Sequence, residues 1–557
     1  MKPVNPAAIE HHPFRPYVQA VARNRVQFFL RCGLGEASSC RIVFWPRTKP
    51  VHEPAQQAEM SVRLSDAAHD MWQADIHFPY VAHYIKYYFR IVDTQGRVHF
   101  YTTQGTSEGQ PVSGFFELLQ VNPSDVIHVP QWSQGLIYYQ IFPERFAAAD
   151  GRERHTQWRE AQPEREGYFG GDLEGIRKKM PYLKELGVEA LYLTPVFYAD
   201  FNHKYATIDY FRVDSAFGTN DDVKTLVEQA HKLGIKVLLD GVFNHCGTNF
   251  EPFQDLLKKG ELSPYRDWFF PQSFPVSIEE MNYECVGDYR YMPRLNTTNA
   301  EVRDYLLQVM LFWIDYAAID GWRLDVADEV DCDTWRYLRS CVKRKHPNVL
   351  LLGETWGDAS KWVLHGDQLD CAMNYLFRDA MVDFFAARTI DALQLSQRLQ
   401  NMLMKYPWQV NQAMYNLIGS HDTPRFMTLC NNDESMVKLA FAVMMLFPGS
   451  PAIYYGDELG MRGENDPGCR GGMRWDLQQS SLHAWVKELA YIRKENEAVR
   501  KGDYRTLHAE GNLFVFERRI EQSRIVVCIN RGEKAEDFTD GSVNVCVQPK
   551  AVEIIYN

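Results

Sequence analysis

Several things are scarce or missing in this 557-residue sequence, and each absence removes a class of function. Its 11 cysteines are odd in number and scattered without a C-x-x-C pair, which argues against a disulfide framework or a zinc knuckle and points to a reduced, cytoplasmic compartment. No apolar run approaches the roughly 20 residues of a membrane span, and the opening MKPVNPAAIEHHPFRPY has no apolar signal core. Positive charge is in deficit, 60 Lys and Arg against 72 Asp and Glu, for a net charge of -12. Such a field repels phosphate backbones and anionic lipid, so neither nucleic acid nor a membrane surface is an expected partner. A phosphate loop is missing too, since Gly33-Leu34-Gly35 stands alone with no lysine-bearing continuation. Internal repeats and low-complexity linkers are absent.

Aromatic residues, by contrast, are plentiful: 32 Phe, 29 Tyr and 13 Trp. Flat apolar faces suit sugar rings, and a large core uses them equally.

The chain divides by pattern. Residues 1–122 alternate or run with β-formers (RVQFFLRC, CRIVFW, MWQADIHF, YIKYYFRIV) between turn residues, and predict a β-sandwich. From residue 123 strands alternate with helical periods. LIYYQIFPERF (136–146), ALYLTPVF (190–197), IKVLLDGVFNH (235–245), GWRLDVA (321–327), VLLLGETW (349–356), CAMNYLF (371–377), MYNLIGSHD (414–422) and SPAIYYGDE (450–458) make eight strands. Helices are predicted between them, among them 173–187 and 221–234. Eight βα units fit a closed (β/α)8 TIM barrel better than an open doubly wound sheet. The proline- and aromatic-rich stretch 246–298 breaks the rhythm as an insertion after strand three, so the barrel runs over 123–245 and 299–502. Residues 503–557 return to β, as a C-terminal sandwich.

Catalytic residues of such barrels collect at the C-terminal ends of the strands. There this sequence places Asp240, Asn244 and His245 on strand three, Arg323 and Asp325 on strand four, Glu354 on strand five, and His421 and Asp422 on strand seven. Taken singly, Asp240 or Asp422 reads equally well as a helix N-cap, and either histidine as a structural one. Their convergence on one rim is what points to chemistry. Two carboxylates with a third acidic helper, and neither a cysteine nucleophile nor a phosphate loop, is the apparatus of glycoside hydrolysis. Arg323 and Asp325 share one strand face, where the arginine keeps the aspartate ionised and oriented.

DGVFNH (240–245), GWRLDVADE (321–329), GETW (353–356) and IGSHDT (418–423) together resemble the four signature regions of the alpha-amylase superfamily, glycoside hydrolase family 13. MPRLN (292–296), with Arg294 where a lysine is usual, resembles a fifth region of the neopullulanase, cyclomaltodextrinase and maltogenic amylase branch, as do YYQIFPERF, FGGDLEGI, HKYATIDYFRVDSAFG and NDPGCRGGMRW. The resemblance implies Asp325 as nucleophile, Glu354 as general acid/base and Asp422 as the carboxylate that stabilises the distorted transition state. It implies Arg323, His245, His421, Tyr205, His203, Asp466, Arg470 and Trp356 as substrate-binding residues, and Asp240 as a structural part of the site wall.

The expected substrates are oligosaccharides: cyclodextrins, maltodextrins and pullulan, hydrolysed with retention to maltose- or panose-type products, with some transfer to sugar acceptors. The alternatives are an α-glucan transferase or a specialised hydrolase of cyclic or α-1,6-linked oligosaccharides and, more remotely, a catalytically inactive glucan-binding protein. The resemblance further implies a homodimer through the N-terminal domain, with Trp45 a candidate for the shared contact or, equally, a core residue. No cofactor is required. Relatives carry a calcium loop after the first strand, of which Asp150, Gly170 and Asp172 remain while Ala148, Glu153 and Arg154 replace other ligands. Calcium takes six to eight oxygens, so a weak or absent site is expected. Asp328 stands where asparagine is common in this branch, near the leaving-group side.

Overall fold

The computed structural model describes residues 2–50, 55–541 and 543–556. At its centre are eight short parallel strands: β1 (Tyr138–Ile141), β2 (Ala190–Leu193), β3 (Lys236–Gly241), β4 (Gly321–Leu324), β5 (Leu350–Gly353), β6 (Cys371–Ala372), β7 (Tyr415–Leu417) and β8 (Ser450–Tyr454). Their hydrogen-bonding order is β6-β5-β4-β3-β2-β1-β8-β7, and a parallel bridge from Met373 to Tyr415 joins the two ends. This is the eight-stranded barrel expected. Every residue of these strands is buried except Lys236, which is half-buried. Helices cover the outer face of each strand and side chains fill the inner one, which is why the strands read as continuous apolar runs rather than alternating ones.

The helix Asn220–Lys232 shows how the cover forms. Thr219 and Asp222 close a capping box at its start, and Val223, Leu226, Val227 and Ala230, at helical spacing, bury one face. The helix expected over 173–187 is instead two, Leu173–Lys178 and Met180–Leu186. Pro181 lacks the N–H that a continuous ladder needs, and it sits in the first turn of the second helix, where none is needed. An antiparallel hairpin after β2, Phe197–Ala199 with Thr207–Val213, was not foreseen; its connection carries His203 and Tyr205. Between β3 and the helix Ala300–Ala317 lie the helix Glu251–Lys259, two short 3-10 turns and irregular chain.

Nine strands between Val18 and Gln120 form two sheets that share the strand Gln56–Ser65. They enclose a separate core that includes Val26, Phe28, Leu30, Tyr87 and Phe89. Trp45 lies on the opposite sheet face, buried between Tyr88 and Phe115. It is therefore a core side chain and not one held out to a partner. At the other end of the chain, Asp503–Glu510, Leu513–Ile520, Ser523–Asn530 and Ala551–Tyr556 form an antiparallel sheet, accompanied by the hairpin Glu536–Asp540/Val543–Val547. Alternation makes this sheet two-faced: Leu513 and Val515 point into its own small core, whereas Phe514 and Phe516 join the barrel's. Among the described residues no helix is long and apolar enough to cross a membrane.

Candidate active site

A cavity of about 490 Å³ opens at the C-terminal rim of the barrel, and its lining includes Asp325, Glu354, Asp422, His245, Tyr205 and Trp356. The strands end just before the polar residues begin. Asp325 follows β4 directly, Glu354 follows β5 directly, and Asp422 sits five residues beyond Leu417, the last residue of β7.

Arg323 organises the floor. It faces Asp240 in the β3–β4 register, is fully buried, and donates through Nη1 to Asp240 (3.0 and 2.9 Å) and to Asp325 Oδ1 (2.8 Å). Its Nη2 lies 2.8 Å from Glu354 Oε2 as an ion pair, without the alignment of a hydrogen bond. A single guanidinium thus serves three buried carboxylates. Asp240 also accepts from Tyr192 (2.6 Å) and Tyr205 (3.0 Å), so its lone pairs are spent within the wall. Glu354 Oε2 accepts a further bond from the Val326 N–H (3.0 Å).

These carboxyls cannot all ionise together in a water-poor site. Burial pushes Asp325 up, Arg323 pulls it back, and Glu354 and Asp240 push it up again. Burial likewise pushes Glu354 up to about 7 against the pull of Arg323. The two titrate as a unit. The aligned hydrogen bond of the guanidinium goes to Asp325, so the shared proton falls to Glu354. Asp422 moves the other way. Although burial opposes it, His421 Nε2 (3.0 Å) and Arg470 Nη2 (3.0 Å) hold its carboxyl below the usual range.

The histidines are neutral. Desolvation brings His203, His245 and His421 each down to about 3. Gln140, on β1, donates to His421 Nδ1 (2.7 Å), which fixes the tautomer so that Nε2–H faces Asp422 and the Tyr205 hydroxyl. Both nitrogens of His245 are buried without a hydrogen-bond partner among the described residues, and Nε2 is 3.9 Å from Asp325 Oδ2. That is how a donor reserved for a ligand looks. The Tyr205 ring lies parallel to that of His421 (5.4 Å, 6°), with His203 next in line (5.9 Å). Arg470 bridges Asp422 and Asp466, the latter at 2.9 Å, and bonds the His421 carbonyl (2.8 Å). At the mouth, Trp356 is 49% exposed and its ring stacks on Tyr375 at 4.2 Å and 16°; the backbone N–H of Trp356 reaches Asp328 Oδ2 at 3.4 Å.

All eleven residues singled out by sequence for catalysis or substrate binding therefore meet at one rim. Arg294 does not join them; it pairs with Glu284 and the Glu329 carbonyl at the edge of the insertion. Sequence reasoning missed Gln140, whose signal was a lone amide inside the apolar YYQI of β1, and Tyr192. It also missed the loop carrying Glu164, Arg165 and Glu166, which lines the cavity and is anchored by Asn202 to the carbonyls of Arg165 and Gly167.

The remnants of the calcium loop do not fit a calcium ion. Asp150 is chelated by the guanidinium of Arg152 (2.7–3.0 Å), which also packs against Gly170. Asp172 spends one oxygen capping a helix at Gly175 N (2.6 Å) and the other on Ala149 N (2.9 Å). These oxygens face donors of the protein instead of a shared centre.

Comparison with known proteins agrees with this geometry. The family description "Alpha amylase, catalytic domain" matches residues 140–481, and "Alpha amylase, N-terminal ig-like domain" matches 4–122. Neopullulanase 2 of Thermoactinomyces vulgaris is 40% identical over 95% of this chain and 91% of its own. The intracellular maltogenic amylase of Bacillus subtilis (strain 168) is 36% identical over 97% of this chain and 93% of its own. A solved cyclomaltodextrinase structure superposes with a TM-score of 0.90 at 37% identity, over 96% of this chain and 92% of its own. With the rim carboxylates in place and both domains matched, the chain belongs to the alpha-amylase family of glycoside hydrolases.

Proposed function

We propose that the protein is a retaining hydrolase of short and cyclic α-glucans, namely cyclodextrins, maltodextrins and pullulan, that releases maltose- or panose-type products. The observation that carries this reading is the sharing of Arg323 among Asp240, Asp325 and Glu354 at the bottom of a cavity with a stacking ring at its wall. A glucosyl ring seats on Tyr205, with its hydroxyls on His245, His421 and Asp422. Asp325, ionised against Arg323, attacks the anomeric carbon. Glu354, protonated near neutral pH, gives its proton to the leaving glycosidic oxygen. Water then enters, Glu354 takes a proton from it, and the ester to Asp325 is cleaved with net retention. Carboxyls outnumber guanidiniums along the cavity: Glu164, Glu166, Asp325, Glu354, Asp422 and Asp466 against Arg145, Arg165 and Arg470. The negative balance favours the cationic, oxocarbenium-like transition state over the neutral substrate.

Trp356 and Tyr375 form a platform on the leaving-group side, and a sugar held there competes with water for the glycosyl ester. Transfer accordingly accompanies hydrolysis. An intracellular location accords with the 11 unpaired cysteines and with the name of one relative. A homodimer through the N-terminal domain accords with the exposed Tyr80, Tyr84 and Val112 on that domain; sizing in solution tests it, and a strict monomer would remove that part. Incubation with cyclodextrin, pullulan and linear maltodextrin, followed by product identification, tests the substrate assignment. Maltose from the first and last and panose from pullulan are expected. Failure to cleave any of the three would overturn it.

A further inference from the structure

Val326 stands between the proposed nucleophile and the next turn with φ +43°. Among the described residues it is the only β-branched one with positive φ. Left-handed backbone crowds Cβ against the following carbonyl, and a branched Cβ makes this worse. Such a conformation persists only where its surroundings over-determine it, and here they do. Asp325 N bonds to Gly241 O (3.1 Å), Ala327 N to Glu354 O (3.0 Å), and Glu329 N to Val326 O (3.1 Å).

The reversed φ has a visible result. Two successive N–H groups converge on one residue, that of Val326 on the Glu354 carboxylate (3.0 Å) and that of Ala327 on the Glu354 carbonyl. A chain with ordinary φ at Val326 turns successive N–H groups apart, whereas a sign change between neighbours lets them form a nest.

We infer that the Val326–Ala327 turn is a positioning device for the acid/base: it grips Glu354 by Oε2, so that the exchangeable proton sits on Oε1. The inference rests on the reading of Glu354 as acid/base given above. When the Oε1–H bond breaks and the proton passes to the leaving oxygen, its electron pair stays on Glu354 and negative charge spreads to Oε2. The Val326 N–H bond tightens at that moment, so it favours the transition state over the ground state. Because Val326 follows Asp325 directly, the nucleophile and the acid/base are also held at a fixed separation by one turn of backbone.

The test removes the N–H and nothing else: an ester in place of the amide at Val326, with α-hydroxyisovaleric acid at that position. A bond to a developing carboxylate predicts a fall in kcat of roughly tenfold, an unchanged KM, and a rise of the basic limb of the pH profile by about one unit. The other groups facing Glu354, namely Arg323 and Asp325 on the β4 side, Asp240 on β3, Asp422 beyond β7 and the Tyr375 hydroxyl, are untouched by the exchange. The limb shift therefore reads the N–H alone. Val326→Gly is the second variant. Glycine takes positive φ without strain and keeps the N–H, so the limb moves less than in the ester variant while the melting temperature holds or increases. An ester variant with wild-type kcat and basic limb overturns the inference, as does a glycine variant whose limb rises as far as the ester's. Glu354→Gln run alongside separates the two levels: full activity in that variant would sink the acid/base assignment itself, not only the role of Val326.

Discussion

Glu458, just beyond β8, makes an unusual demand on the fold that pH can expose. Its side chain is fully buried and accepts from Tyr139 (2.8 Å) and Tyr182 (2.6 Å). Among the described residues no cation pairs with it, and Oε2 has no hydrogen-bond partner. Burial pushes its pKa up from 4.5 to about 7, against the pull of the two hydroxyls. In the unfolded chain the group titrates near 4.3. Below both values it is protonated in either state and makes no pH-dependent contribution. Between them the unfolded chain gives up its proton first, so stability falls as pH rises, and above the folded value the full penalty stands. A shift of two to three units at 1.36 kcal/mol each is on the order of 3 kcal/mol. Glu458→Gln removes the titration. The amide still accepts from both tyrosines, and its unpartnered NH2 replaces an unpartnered O–H. The variant and the wild type should therefore melt together near pH 4.5, separate between pH 5 and 7, and above pH 7.5 the variant should be the more stable. Paired thermal melts by circular dichroism across this range read the difference directly. A gap independent of pH, or a wild type more stable at pH 8, would refute the idea that Glu458 is held as a buried, unpaired carboxyl.

Other outcomes follow from the same site. Arg323→Lys replaces a fork serving three carboxylates with one ammonium; loss of two charge-assisted bonds predicts a kcat lower by roughly a hundredfold, measured on cyclodextrin. The kcat/KM profile of the wild type should fall above about pH 7, where Glu354 loses its proton; a flat profile to pH 9 would contradict this. Trp356→Ala should weaken binding of a sugar acceptor by roughly fivefold and shift products from transfer towards hydrolysis, as read by chromatography with glucose added. Because Arg152 already occupies Asp150, treatment with EDTA should change neither the melting temperature nor the turnover.

The residues most legible in the sequence were those whose polarity contradicts their setting. Asp325, Glu354 and the His421–Asp422 pair stand out because they close strands that are mostly apolar, and barrel geometry alone gathers strand ends on one rim. Gln140 met the same criterion and was passed over, since a single amide in a strand has no partner that sequence can name. Tyr205 and His203 were visible only through family resemblance. Their hairpin has a three-residue first arm and an irregular register, too short for a period to register. The wall formed by Glu164, Arg165 and Glu166 has no pattern that places it in the site, because its position depends on Asn202, far along the chain, binding the carbonyls of Arg165 and Gly167. The strain at Val326 was invisible as well. Nothing about a valine in GWRLDVAD announces a left-handed backbone, and only the three hydrogen bonds from β3, β5 and the following turn impose it.

The double displacement at Asp325 is tested most directly by trapping its ester. In a Glu354→Gln variant, an activated maltosyl fluoride needs no acid to leave, and the ester formed cannot be hydrolysed efficiently without the base. Proteolysis and mass spectrometry should then find a maltosyl adduct on the peptide spanning GWRLDVAD, at Asp325. An adduct on another carboxylate, or rapid release of an inverted sugar with no adduct at all, would contradict the mechanism.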